Sequence, residues 1–162
     1  MSLNYSKKTL KHFRQPKNIG EIKNPDAMAE VGNMVCGDQL FFTLKVKDQK
    51  IKDIKFLSFG CASNIATASV MTEMVKGKKI EEAKNFNWNK IVSELEGLPK
   101  QKIHCSVLAV EGLKKVIAEY EKTNKKTNKK SDSTDKKLTK KIIKKKSVSK
   151  KKSSISKKIS KK

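Results

Sequence analysis

At residue 122 the chain changes character. The last 41 residues hold 19 lysines against only Asp132 and Asp135, a net charge of +17. The preceding 121 residues carry 20 basic and 14 acidic side chains, a modest +6. A packed fold is therefore confined to residues 1–121, and residues 122–162 form a lysine-rich tail. That tail has six scattered aliphatics and no aromatic, Gly or Pro. Such a segment buries too little apolar surface to offset its ordering entropy, so it is expected to be disordered. The first 121 residues suffice for one hydrophobic core without disulfide staples. No apolar run approaches the roughly 18–20 residues of a membrane span, which excludes an integral membrane protein built on helices.

Three cysteines, Cys36, Cys61 and Cys105, lie in the first segment. An odd, widely spaced set is a poor disulfide framework and suits a reducing compartment. The basic stretch Met1 to Phe13 has too short an apolar run for a signal sequence, and Arg14 is the only arginine near it. It reads as the first helix of the domain, and the expected location is cytoplasmic.

Tyr5, Thr9 and Phe13, with Leu10 beside them, mark one face of a short helix over residues 3–13, ended by Pro16, Asn18 and Gly20. A short strand is expected around Val31–Val35, followed by a Gly37-Asp38 turn. From Leu40 the pattern alternates: Leu40, Phe42, Leu44 and Val46 face one way, Thr43, Lys45 and Lys47 the other. A turn at Asp48-Gln49-Lys50 leads into Ile51–Phe59, where Ile54, Phe56 and Phe59 suggest a strand with one irregularity. Three sequential strands joined by short turns predict an antiparallel sheet with one covered face. After Gly60 the period becomes helical, over residues 62–76 closed by Gly77, in short pieces over 79–95, and in a long amphipathic helix over 105–121. Gly112 inside that last helix costs about 1 kcal/mol relative to Ala. The sheet is contiguous and the helices mostly follow it, so the fold class is α+β.

No C-x-x-C clip is present, but all three cysteines fall at element boundaries, where function concentrates. Cys36 precedes the Gly37-Asp38 turn, while Cys61 and Cys105 open helices, whose dipoles favour thiolate. If these ends converge, Asp38 adds a carboxylate and His104 an imidazole. Thiolates select zinc, copper(I) or iron–sulfur clusters over hard cations. Three cysteines with a harder fourth ligand make a more exchangeable centre than the usual four-cysteine cluster. Each cysteine taken singly reads better as a small buried apolar side chain, and for the three together spacing alone leaves both readings open.

The order of Tyr5-Ser6, His12-Phe13, Pro16, Asn18, Gly20, Cys36-Gly37-Asp38, Gly60-Cys61-Ala62-Ser63 and His104-Cys105-Ser106 is more specific. It resembles the IscU/NifU N-terminal family of iron–sulfur cluster assembly scaffolds over about residues 3–121. The resemblance implies a small three-stranded antiparallel sheet packed by helices, and no enzymatic turnover of its own. It implies Cys36, Cys61 and Cys105 as ligands of a transient [2Fe–2S] cluster, Asp38 close to the cluster and promoting its turnover, and His104 as an alternative fourth ligand. It further implies Cys105 as first acceptor of persulfide sulfur from a cysteine desulfurase, iron as the metal assembled, zinc in the resting site, and apo iron–sulfur proteins as recipients. The family's Leu-Pro-Pro-Val-Lys grip for a DnaK-type chaperone stands here as Leu98-Pro99-Lys100-Gln101-Lys102, without the second Pro and the Val.

Two alternatives accompany that expectation. SufU-type relatives hold zinc firmly and accept persulfide, but typically carry an insertion between the second and third cysteines and lack the preceding His. The compact Cys61–Cys105 interval and His104 favour the Isc type. The tail, for its part, offers lysines that neutralise phosphates of nucleic acid or an anionic surface without sequence preference, and no aromatic for base stacking. His12 is expected to orient the first helix, Met71, Met74 and Trp88 to fill the core, and Ser63, Ser69 and Ser106 to have no nucleophilic role.

Overall fold

The computed structural model describes residues 4–124; the tail expected to be disordered begins at residue 122, but residues 122–124 continue the last helix, and the rest of the tail lies outside the described residues. Helix α1 (Lys7–Arg14) is followed by strands β1 (Ala27–Gly32), β2 (Gln39–Lys47) and β3 (Lys50–Phe59). Then come α2 (Ala62–Val75), α3 (Ile80–Lys84), α4 (Trp88–Glu94), a 3₁₀ turn (Lys100–Lys102) and a long helix α5 over residues 103–124. The strands form one antiparallel sheet in the order β1-β2-β3, as the alternation predicts. Among the described residues no helix is long and apolar enough to cross a membrane.

Local chemistry accounts for most boundaries. Ser6 accepts the Thr9 N–H at 3.0 Å and caps α1, so the helix starts four residues later than periodicity suggests. Gly77, at φ +83°, stops the chain just beyond α2. Ile51 and Asp53 pair with consecutive β2 residues Val46 and Lys45, which leaves Lys52 as an extra residue in β3, the expected irregularity. One expectation shifts. The first strand lies at Ala27–Gly32, ahead of Val31–Val35, because its partners on β2 run from Leu44 to Gln39 and end at the Asp38 turn. Phe59 stands 77% exposed on the sheet's outer face, opposite Gln39, and is no part of the core.

The core lies between the inner sheet face and the helices. Leu40, Phe42, Leu44, Ile54 and Phe56 are fully buried, each worth about 1.5–3 kcal/mol of hydrophobic stabilisation. α2 has ten buried residues out of 14, so it is enclosed on nearly all sides and not amphipathic. α1 lies across it: His12 Nδ1 sits 2.9 Å from Ser69 Oγ, which also accepts the Lys17 N–H at 2.8 Å. The structure thus places a His beside Ser69, yet that hydroxyl is wholly buried and occupied, and the pair serves as a clasp. On α5, a Cβ at Gly112 would come within 2.3 Å of Phe42 Cε2 and 3.0 Å of Val31 Cγ2. The glycine lets the helix backbone rest directly on the sheet. The free edge of β3 is covered by backbone, with Asn18 and Gly20 bonded to Phe56 and Gly77 and Lys78 to Ile51, which blunts edge-to-edge association.

Candidate metal centre

Three chain ends meet at the rim of the sheet where β2 begins and β3 finishes. The first is the β1–β2 loop. Asn33 N–H donates to Asp38 O at 2.9 Å, Gly37 N–H to Asn33 O at 2.8 Å and Val35 N–H to Asn33 Oδ1 at 2.9 Å. Gly37, at φ +73°, takes the left-handed conformation that closes this turn. Cys36 is carried at its exposed tip. The second end is Gly60-Cys61, with Cys61 as N-cap of α2. The third is the first turn of α5, with His104 half-buried and Cys105 fully buried.

Asp38 joins them. It is 3% exposed, and its Oδ1 accepts the Cys61 N–H at 3.0 Å. Its Oδ2 lies 3.6 Å from Cys61 Sγ and 3.4 Å from Cys105 Sγ, and the two sulfurs are 3.7 Å apart. Possible ligand atoms of Asp38, Cys61 and Cys105 fall within 4.8 Å of one another, and those of Cys36, Asp38 and His104 do the same. All five residues singled out by sequence are therefore gathered, in two triads that share Asp38. Gly60 makes the junction sterically possible, since a Cβ there would sit 2.6 Å from Asp38 Oδ1.

Charge at the centre is divided unequally. Burial pushes the Asp38 carboxyl up, but the Cys61 amide and the thiols of Cys105, Cys36 and Cys61 together hold it below the usual carboxylate range. The Cys105 thiol, donating toward Cys61, brings Cys61 down to about 6 against the opposing effect of burial, helped by the Asn64 N–H and the Lys102 charge. Cys105 is driven far up by the same hydrogen bond and by burial. The proton between the two sulfurs thus lies toward Cys105. Lys102 is raised chiefly by Cys61, with Tyr5, Cys105 and Asp38 adding to it. Its part in the site was not visible in sequence, although it stands only two residues before His104. Gly60 was equally hidden, because its role depends on what packs over it.

The donor set suits a soft or borderline metal: three sulfurs, one imidazole and one hard, exchangeable carboxylate. Among the described residues, the buried side-chain polar atoms without a partner are Ser63 Oγ, Asn64 Oδ1 and His104 Nε2. All three lie in the first turns of the two helices that meet here. Buried polar atoms are ordinarily satisfied, so an unpaired imidazole nitrogen beside two ligand triads fits a centre shaped to receive a metal.

Residues 4–127 match the family model described as the NifU-like N terminal domain. The chain belongs to that family. Among curated members, an iron–sulfur cluster assembly scaffold protein IscU of Archaeoglobus fulgidus is 50% identical over 120 residues, spanning 74% of this chain and 78% of that protein. The IscU scaffold protein of Escherichia coli is 42% identical over 121 residues, covering 72% of this chain and 94% of its own length. Nitrogen fixation protein NifU of Azotobacter chroococcum is 42% identical over 118 residues, and there the match occupies 38% of the longer protein. In three dimensions the family fold recurs in a SUF-system scaffold protein from Fervidobacterium islandicum, with a TM-score of 0.60 and 26% identity over 70% of this chain and 96% of that one.

Proposed function

We propose that this protein is a scaffold on which an iron–sulfur cluster, in its [2Fe–2S] form, is built and then released to apo-proteins. The observation that carries the reading is the convergence of Cys36, Cys61, Cys105 and His104 around the buried Asp38 carboxylate, in a chain whose relatives are named as such scaffolds. The cluster is cargo: the protein supplies ligands, orientation and partial exclusion of water, and no turnover of a small molecule. Iron enters beside thiolates, and zinc suits the same donors in the resting site. Sulfur arrives as persulfide from a cysteine desulfurase. The acceptor thiol passes its proton to Cys61, 3.7 Å away in the case of Cys105, and attacks the terminal sulfur of the donor persulfide; the S–S bond breaks and the donor thiolate leaves. Each sulfane sulfur gains two electrons on becoming sulfide, drawn from iron(II) and an external reductant.

Cys105 is the acceptor that the family resemblance implies. It is fully buried beside Asp38 and Cys61, so delivery to it calls for the Cys36 loop to swing aside. The test is anaerobic reconstitution with iron(II), cysteine, a thiol reductant and a desulfurase, read by visible absorption and by iron and sulfide analysis. Equal iron and sulfide, with absorption lost in Cys36→Ser, Cys61→Ser and Cys105→Ser variants that remain folded, is the expected result. Normal cluster yield in any of the three sinks the assignment.

A further inference from the structure

Asn64 sits in the first turn of α2 and is fully buried, beside the Cys, Asp and His side chains that make up the two triads. Its Nδ2 donates to Gln39 O at 3.3 Å and to Ser58 Oγ at 3.1 Å. Gln39 is the residue after Asp38, and Ser58 stands two residues before Gly60. One amide therefore ties the start of β2, the end of β3 and the N-terminus of α2 together. The same Nδ2 lies 2.6 Å from where a Gly60 Cβ would be, as does Asp38 Oδ1. Asn64 and Asp38 thus both bear on Gly60, whose following peptide N–H is the one that Asp38 accepts.

The remaining atom, Asn64 Oδ1, is buried and unpartnered. Turning the amide over does not help, because a carbonyl would then face the Gln39 carbonyl. A buried unpaired acceptor is destabilising, and an apolar side chain of similar volume would avoid it. The residue is better explained by what its donor fixes than by its contribution to folding. We propose that Asn64 is a positioning residue for the metal centre: it holds the Asp38 end of β2 against Gly60-Cys61, and so sets the spacing of the Asp38, Cys61 and Cys105 donors. The inference rests on the reading of these residues as ligands.

Cobalt(II) alone, added anaerobically to the full chain, reports on the geometry through its thiolate charge-transfer band and its d–d spectrum. Partners that orient metal ligands typically contribute 10–100-fold in affinity. Asn64→Leu, which removes the unpaired acceptor, and Asn64→Ala are each expected to melt at or near the wild-type temperature. Both should bind cobalt(II) 10–100-fold more weakly, with a smaller charge-transfer band per bound ion. A folded variant with wild-type affinity and spectrum overturns the proposal, and so does loss of folding in both variants, since Asn64 would then be structural. The underlying ligand reading fails separately: in that case the wild type itself shows no thiolate band, or shows one unchanged by Cys61→Ser.

Discussion

Asp38 occupies two positions at once, as a buried hydrogen-bond acceptor for the Cys61 amide and as the hard donor common to both ligand triads. A carboxylate bound to a soft metal centre is readily displaced by an incoming thiolate. Replacing it with Ala closes that exchange route, so Asp38→Ala is expected to lengthen the life of the assembled cluster and slow its transfer. Visible absorbance of variant and wild type, followed with and without an apo-ferredoxin, checks both halves. Faster loss together with undiminished transfer would show that Asp38 is a simple holding ligand. Boundary positions marked Cys36, Asp38, Cys61, His104 and Cys105 as candidates in sequence without deciding between a site and a core, and only the ordered motifs that resemble the family singled them out. The parts of Gly60, Asn64 and Lys102 were not legible there, since they are set by approaches between segments that no local pattern encodes.

Among the elements, α5 shows packing overriding propensity. Gly112→Ala gains about 1 kcal/mol in helix propensity, but its methyl would lie 2.3 Å from the Phe42 ring. Overpacking of that kind costs about 1–3 kcal/mol, so the variant should melt lower than wild type despite the better helix former; a higher melting temperature would contradict the close seating of α5 on the sheet. The α1–α2 clasp adds a pH dependence. Burial lowers His12 from 6.5, with Lys11 and Lys17 reinforcing and Glu73 and Glu94 opposing. Its contribution to stability is therefore complete above the unfolded value and is lost as pH falls below it toward the depressed folded value. Denaturant midpoints should decline over that interval in wild type and less in His12→Asn, and equal slopes in the two would remove His12 as the cause. Strands β2 and β3 were readable from alternation, whereas β1, Ala-Met-Ala-Glu-Val-Gly, has one β-branched residue in six. It is a strand because β2 offers it an edge.

For the molecule as a whole, α5 continues to residue 124, so the informative truncation removes residues 125–162, with eighteen lysines against Asp132 and Asp135. The core formed by the described residues ends at Tyr120, and the shortened chain is expected to keep a cooperative unfolding transition and its cluster yield. Any affinity of the full chain for duplex DNA should fall on a log–log plot with salt, by about 0.9 per phosphate neutralised, and should vanish with the tail. Loss of cooperative unfolding on truncation would show that these residues take part in the fold. A further consequence follows from the way the three cysteines are mounted. Cys61 and Cys105 ride on helices seated in the core, while the backbone bonds of the Cys36 loop close upon the loop itself. One wall of the vessel is hinged and two are masonry. On the proposed function, how long cargo is kept and how well the protein resists heat are then separately tunable, and selection can adjust delivery at residues 33–37 without touching the foundation.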